Sequence, residues 1–190
     1  LRPFVMTSFR SFFFLVSLSS SPFIFPSHIW AAKGDASPNN RINIAIIGPG
    51  KMGRGHANFL VRNPRAQLTG FAEIADVRTK HTKDLIEKHY SKNTPGDNWK
   101  GLKITKNYLE LLEDKSLDAV LIATPDHWHG EATIQAARAK KHVYCEKPIS
   151  LTIQEGRAMA NAVKENNIVF QTGSQQRTQY GGKLRRTVEM

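Results

Sequence analysis

The sequence predicts an α/β protein built around a doubly wound parallel sheet, and three observations support this class. An apolar run at 42–47 is nearly continuous, as in a central strand covered on both faces. A glycine-rich turn follows this run and leads into a helical pattern. Further apolar strands then alternate with amphipathic helical segments, which is the order of repeated βαβ units.

The glycines after the first strand fit the pattern G-x-G-x-x-G at Gly48, Gly50 and Gly53. The first glycine permits a tight turn, the second lets the backbone approach a pyrophosphate, and the third lets the helix pack on the strand. The helix is predicted at 53–62, ahead of Pro64, and its free N–H groups favour an anion. The alternative is an ordinary glycine-rich turn.

The later elements follow from the same alternation. Asn107 is expected to cap a helix, with Glu110 three residues on as in a capping box. Because crossovers between parallel strands are right-handed, the carboxyl ends of the strands should share one edge, where ligands bind. The predicted strands are 68–72, 102–105, 118–124, 142–145 and 168–172, the helices are 77–90, 107–112, one ending near 140 and 152–166, and 91–100 is a loop.

The second strand runs directly into Glu73, about 20 residues past the glycines. A dinucleotide-binding Rossmann fold places a carboxylate there to bind the adenosine ribose hydroxyls. Asp76 is close enough to compete, and we favour Glu73 because it abuts the strand. A carboxylate repels a 2′-phosphate, so NAD is favoured over NADP, while Arg78 leaves NADP open. The alternative for either acid is a solvated loop residue or a helix cap.

Two polar clusters end neighbouring strands, one at 124–129 and one at 146–148. His127 and His129 offer no evident third ligand, so no metal site is predicted. Lys147 is a cation at a strand end facing the cleft, where it would bind a substrate hydroxyl and stabilise the alkoxide that forms as hydride leaves. The alternative is a surface lysine paired with Glu146.

The composition limits the other function classes. The formal net charge is +11, but Lys and Arg are spread along the chain without a nucleic-acid motif, so no nucleic-acid partner is predicted. Cys145 is the only cysteine, which excludes an internal disulfide and a cysteine zinc cluster. It closes an apolar strand and is predicted to be a buried structural thiol.

Residues 1–32 resemble an export signal, with a basic start, a short apolar run and small residues after it. The run is too short for a membrane span. Residues 8–12 resemble a twin-arginine signal in which Phe9 replaces the first arginine, so the Sec route is open too. We expect a periplasmic or extracellular protein, or a cytoplasmic one if the signal is non-functional. An uncleaved amphiphilic anchor is the alternative, and this segment is the one expected membrane contact. Residues 33–40 form a polar linker.

Three segments, 48–53, 123–129 and 146–148, together resemble the glucose–fructose oxidoreductase / inositol dehydrogenase / MocA (Gfo/Idh/MocA) family. The resemblance runs from about Arg41 to Thr178, and 173–178 is similar to the crossover into the second domain of exported members. It implies a dinucleotide-binding domain at 41–172 and the start of a truncated substrate domain at 173–190.

The resemblance also implies site residues. Lys147 matches the lysine of a motif that contacts both substrate and cofactor in the family, and it is therefore expected to be the catalytic residue. Family members carry a C-terminal open-faced β-sheet domain with the substrate contacts, commonly an Asp/His pair, and the oligomer interface. This chain is therefore expected to bind NAD or NADP without a complete substrate site, and to be a homo-oligomer at full length. The implied cofactor residues are Gly48, Gly50, Lys51, Met52, Gly53, Glu73 with Asp76 as its competitor, Thr124, Pro125, His129, Glu146 and Lys147.

Three functions stay open. The leading one is an exported oxidoreductase that passes hydride between NAD(P) and a hydroxyl carbon of a sugar or cyclitol, with the cofactor retained through export. The second is a glycosidase of the same family, which oxidises, eliminates, adds water and reduces back with tightly held NAD. The third is a non-catalytic dinucleotide-binding sensor or remnant.

Overall fold

The computed structural model describes residues 41–93 and 101–174. The signal-like segment, the linker, most of the predicted 91–100 loop and the predicted second domain beyond residue 174 lie outside these ranges. The strands are β1 (Ile42–Ile47), β2 (Ala66–Ala72), β3 (Lys103–Thr105), β4 (Ala119–Ile122), β5 (His142–Glu146) and β6 (Phe170–Gly173). The helices are α1 (Lys51–Leu60), α2 (Asp76–Asn93), α3 (Leu109–Leu112), α4 (His129–Arg138) and α5 (Ile153–Asn166), with a 3₁₀ turn at Asp126–Trp128.

The six strands form one parallel sheet in the order β3-β2-β1-β4-β5-β6. The chain progresses from β1 to β3 in one direction and from β4 to β6 in the other. This confirms the doubly wound parallel fold. The reversal lies between β1 and β4, and a crevice at the carboxyl ends of such a pair is where these folds bind ligands.

Each face of the sheet has its own apolar cluster, because side chains alternate along the strands. In β1, Ile46 packs on the side of α1 and α2, while Ala45 and Ile47 pack on the opposite side. On that opposite side, Ala132 and Ala136 of α4 complete the cluster. Burying a large apolar side chain contributes roughly 1.5–3 kcal/mol, so these two clusters are the main source of stability.

The amino ends of the strands are tied by polar contacts. The Asn43 N–H donates to the Asp118 carboxylate at 2.8 Å, and the Asn43 side-chain amide donates to the Ser116 carbonyl at 2.8 Å. The buried Lys141 ammonium donates to the Leu117 carbonyl at 2.8 Å. These contacts join the start of β1 and the residue before β5 to the segment that precedes β4.

Several predicted helix boundaries were wrong by two or three residues. The first helix begins at Lys51 with Gly50 as its N-cap, two residues before the predicted start. Gly50 is extended (φ −66°, ψ −154°), so helical geometry starts directly after it. Helix α2 continues to Asn93, so 91–93 are helical and not loop. No glycine or proline lies between Tyr90 and Asn93 to stop it.

The capping box predicted at Asn107 and Glu110 does not form. The Glu110 carboxylate instead accepts from the Thr105 hydroxyl at 2.7 Å, and the same hydroxyl oxygen accepts the Asn107 N–H at 3.0 Å. The Asn107 side-chain oxygen accepts the Leu109 N–H at 3.1 Å and not that of Glu110, and the helix is a single turn. Thr105 therefore takes both of the partners that the box would have joined. No helix in the described ranges is long and apolar enough to cross a membrane.

Candidate functional site

The glycine loop between β1 and α1 lies against the carboxyl end of β4. Gly48 has φ +75°, and a Cβ there would lie 2.7 Å from the Thr124 Cγ2 atom. A Cβ on Gly53 would lie 2.9 Å from the Gly48 carbonyl oxygen. The two glycines thus allow turn, helix and neighbouring strand to meet, as the motif predicted.

The second glycine faces open space. A Cβ on Gly50 would meet no described atom within 4 Å. The first helical N–H groups, those of Lys51, Met52 and Gly53, have no acceptor within the helix. Within the described part of the chain, no side chain caps α1 and its first turn holds no acid. This end of the helix therefore offers free donors, the dipole and the Lys51 cation to an anion, and it fits a pyrophosphate.

The Glu73 carboxylate is buried at the end of β2, with 5% of the residue exposed. Its Oε1 accepts the Ala75 N–H at 3.0 Å, and the Arg78 guanidinium lies 3.8 Å from Oε2. Among the described residues, Oε2 has no hydrogen-bond partner. Asp76 is exposed and pairs with the Lys106 ammonium at 2.9 Å. Glu73 is thus the acid with a buried oxygen left for a ribose hydroxyl.

The turn after β4 is held by a buried histidine. His129 is 1% exposed, its Nε2 lies 2.9 Å from the Thr124 carbonyl oxygen, and its Nδ1 lies 2.6 Å from the Pro148 carbonyl oxygen. His129 therefore joins the two predicted clusters through its ring. The Thr124 hydroxyl oxygen is buried beside Gly48, without a partner among the described residues. Pro125 precedes the 3₁₀ turn.

The third predicted segment begins with Glu146, the last residue of β5. The carboxyl Oε1 lies 2.5 Å from His56 Nε2 in α1, and both groups are largely buried. The His56 ring meets the Tyr144 ring edge-on, with centroids 5.3 Å apart. Lys147 follows and is exposed, and the Lys147–Pro148 peptide is cis.

Sequence reasoning missed His56 and Tyr144. His56 lies three residues after Gly53, so both share the face of α1 that packs on the sheet. That spacing is a signal that would have found it. In the described ranges, no group of three or more His, Cys, Asp or Glu side chains is placed to hold a metal ion.

Two pKa values beside Glu146 are raised. Burial, and then the charge and hydrogen bond of Glu146, raise the pKa of the Tyr144 hydroxyl, so Tyr144 is a neutral donor. Burial raises the pKa of the Cys145 thiol to about 11, with the Thr133 hydroxyl opposing and Glu146 adding to the rise. The buried, protonated Cys145 confirms the predicted structural thiol.

Comparison with known proteins gives one family. The sequence model described as "Oxidoreductase family, NAD-binding Rossmann fold" (Gfo/Idh/MocA) matches residues 42–174. A myo-inositol 2-dehydrogenase from Thermotoga maritima is 32% identical over 138 residues, which are 72% of this chain and 37% of that relative. A scyllo-inositol 2-dehydrogenase (NAD(+)) from Bacillus subtilis is 32% identical over 141 residues, 73% of this chain and 37% of that relative.

The solved structure of a probable dehydrogenase from Thermotoga maritima matches the fold with a TM-score of 0.65 and 32% sequence identity. The match covers 78% of this chain and 41% of that one. The chain thus spans little more than a third of the length of the curated relatives it matches, 37% in both cases.

Proposed function

The chain belongs to the Gfo/Idh/MocA oxidoreductase family, and from that premise we propose that the full-length protein transfers hydride between NAD and a hydroxyl carbon of a sugar or cyclitol. The matched part is an NAD-binding Rossmann fold. One observation carries the cofactor assignment: the open space at Gly50 lies over the uncapped end of α1. The two inositol dehydrogenase relatives support the substrate class.

Different residues along the carboxyl edge of the sheet bind different parts of the cofactor in this proposal. Lys51, Met52 and Gly53 offer N–H donors to the pyrophosphate, and Glu73 offers its free oxygen to the adenosine ribose. Thr124 and Pro125 line the turn where the nicotinamide is expected. The bound nicotinamide supplies the hydride acceptor or donor. Glu73 favours NAD over NADP, since a 2′-phosphate beside a buried carboxylate would be repelled.

Lys147 is the residue proposed to act on the substrate. Its ammonium donates a hydrogen bond to the reacting hydroxyl oxygen and stabilises negative charge on it as the carbon is oxidised. In the full-length protein, Lys147→Ala should lower kcat by roughly 100-fold or more, the cost of losing one preorganised donor. NADH absorbance with a panel of inositols and sugars measures this rate, and the exposed Lys115→Ala is the matched control.

Three results would contradict this proposal. Turnover of the Lys147→Ala variant at the wild-type rate would show that Lys147 is not the catalytic residue. Release of reducing sugar without net NADH would indicate the glycosidase of the same family. An absence of both reactions, together with dinucleotide binding, would indicate a sensor or remnant.

The location of the protein is a separate proposal. The composition of residues 1–32 supports export, with the NAD retained from the cytoplasm because no soluble NAD pool exists outside. Fractionation of cells expressing the full-length gene tests the location. Mass spectrometry of protein purified without added cofactor tests retention, and size-exclusion chromatography tests the proposed homo-oligomer.

A further inference from the structure

We propose that His56 is a positioning residue for the reaction, which holds Lys147 in place through Glu146. The inference rests on the proposed function and deepens it. His56 Nε2 and Glu146 Oε1 are 2.5 Å apart, although the two residues are 90 positions apart in the chain. The contact joins α1, whose N-terminus faces the proposed pyrophosphate site, to the end of β5, where the lysine segment begins.

The side of the sheet on which Glu146 lies explains why it needs this partner. Side chains alternate along β5. Tyr144 and Glu146 therefore lie on the face of the sheet that α1 covers, whereas Val143 and Cys145 pack into the apolar cluster on the other face. The Glu146 side chain is only 6% exposed, and a buried carboxylate requires hydrogen-bonded partners. The His56 ring and the Tyr144 hydroxyl supply them.

The neighbouring strand leaves room for this arrangement. A Cβ on Gly173 of β6 would lie 2.9 Å from the Tyr144 hydroxyl oxygen and 3.0 Å from the Glu146 Cδ atom. A larger residue at 173 would displace the carboxylate from His56. Side chains of α1 and β5, together with the absence of a side chain at Gly173 of β6, thus define the position of Glu146.

The two residues that flank Lys147, Glu146 and Pro148, are each held by a histidine. On one side Glu146 is held by His56, and on the other the Pro148 carbonyl oxygen is held by His129 at 2.6 Å. The backbone of Lys147 is therefore restrained, while its exposed side chain stays free to reach a substrate. Because α1 also faces the pyrophosphate site, the same helix sets the position of Lys147 relative to the cofactor. A displacement of about 1 Å at a catalytic group can lower a rate by roughly 100-fold.

The first experiment compares kinetic constants in the full-length protein. His56→Ala should lower kcat by roughly 10- to 100-fold through misplacement of Lys147, while the Kd for NAD changes less than about threefold. His56→Gln, which keeps an N–H donor for Glu146, should recover part of the loss. The exposed His81→Ala on α2 is the matched control and should behave as wild type.

A double-mutant comparison tests whether the two residues act as one unit. The kcat of His56→Ala/Glu146→Ala should be close to that of the worse single variant, since residues in contact are not additive. If the double variant instead loses kcat by the product of the two single-variant factors, the proposal is overturned. An unchanged kcat in His56→Ala would also overturn it, as would a loss that appears entirely in the Kd for NAD, which would place the role of His56 at the phosphate site.

A second readout does not need turnover. The NMR signal of ¹³C-dimethylated Lys147, assigned by its absence in Lys147→Gln, should shift or sharpen in His56→Ala and not in His81→Ala. An unchanged Lys147 signal in His56→Ala overturns the positioning role even in an inactive protein. If the wild-type protein shows no turnover, but His56→Ala still changes the Lys147 signal, the proposed reaction is contradicted and the positioning contact is supported.

Discussion

At the scale of single residues, Glu73 shows how one free oxygen defines a recognition site. Oε1 of its carboxylate accepts the Ala75 N–H, while Oε2 is buried, lies 3.8 Å from the Arg78 guanidinium and has no hydrogen-bond partner among the described residues. A buried acceptor without a partner costs roughly 1–3 kcal/mol, and a ribose hydroxyl would remove that cost. Asp76, exposed and paired with Lys106, has no such reason to bind the cofactor.

Glu73→Ala is therefore expected to weaken NAD binding and to reduce the preference for NAD over NADP. A hydrogen bond to a charged group contributes roughly 1.5–3 kcal/mol, so the Kd for NAD should rise about tenfold or more. Titration calorimetry with both dinucleotides measures the change. Asp76→Ala serves as the control, and a larger loss of NAD affinity in that variant would reassign the ribose-binding acid.

Cys145 gives a pH-dependent prediction at the same scale. Burial raises the pKa of its thiol from 9.0 to about 11, so the folded state favours the protonated thiol. This contribution is complete below about pH 9 and is lost as the pH rises through 11. The full rise of the thiol pKa is equivalent to roughly 3 kcal/mol, and urea unfolding should show stability falling by roughly 2 kcal/mol of this between pH 9 and pH 11.

The matched variant is Cys145→Ala, which should lose less stability over the same pH interval. The tyrosines with raised pKa values, including Tyr144, remain in both proteins and cancel in the comparison. Equal losses in the two proteins would show that the thiol does not titrate in this way.

At the scale of the elements, the β1–loop–α1 unit was predictable and later details were not. The apolar run and the glycine spacing determine the unit locally, so residues 42–53 were enough to predict it. The cap of α3 was not predictable, because Thr105 of the preceding strand competes for both Asn107 and Glu110. The spacing from Gly53 places His56 on the sheet-facing side of α1, but its pairing with Glu146 depends on the packing of α1 against β5, 90 residues away, which no local pattern reports.

Three glycines of this unit should respond differently to alanine. Gly50→Ala should lower stability by about 0.5–1 kcal/mol, because alanine is a poor N-cap although its Cβ meets open space, and should weaken NAD binding because the methyl group occupies the phosphate approach. Gly53→Ala should destabilise the fold by roughly 1–3 kcal/mol, because its Cβ would press on the Gly48 carbonyl. Gly55→Ala, helical and unobstructed, should stabilise by about 0.5–1 kcal/mol.

Urea unfolding and NAD titration of the three variants check this order. Loss of stability without loss of NAD affinity in Gly50→Ala would contradict the open phosphate approach. A Gly55→Ala variant as unstable as Gly53→Ala would show that the whole helix, and not its first turn, packs tightly.

At the scale of the whole molecule, the described residues include the edge of the sheet at which the cofactor is proposed to bind. They span only a minor part of the length of the related enzymes. The sheet order, the two apolar clusters and the glycine loop all belong to this chain. The relatives continue well beyond the matched region, since 37% of their length is covered. Cofactor binding is therefore the property that this chain can be tested for directly.

Saturating NAD should raise the thermal midpoint of the full-length protein. At a hundred times the Kd, binding adds about 2.7 kcal/mol to the free energy of unfolding. Differential scanning fluorimetry measures the shift, and the Gly50→Ala variant should show a smaller one at the same NAD concentration. An equal shift in both proteins would mean that NAD binds elsewhere.

The polar ties of Asn43, Asp118 and Lys141 lie at the amino ends of the strands, opposite the edge that carries Gly50, Glu73 and Lys147. The anchoring of the sheet and its reactive groups are thus encoded by separate stretches of sequence. A gene duplicate can accumulate changes in the loops at the carboxyl edge and acquire a new substrate while its copy of the sheet stays folded. This separation gives a physical reason why one scaffold can diversify into dehydrogenases of many specificities.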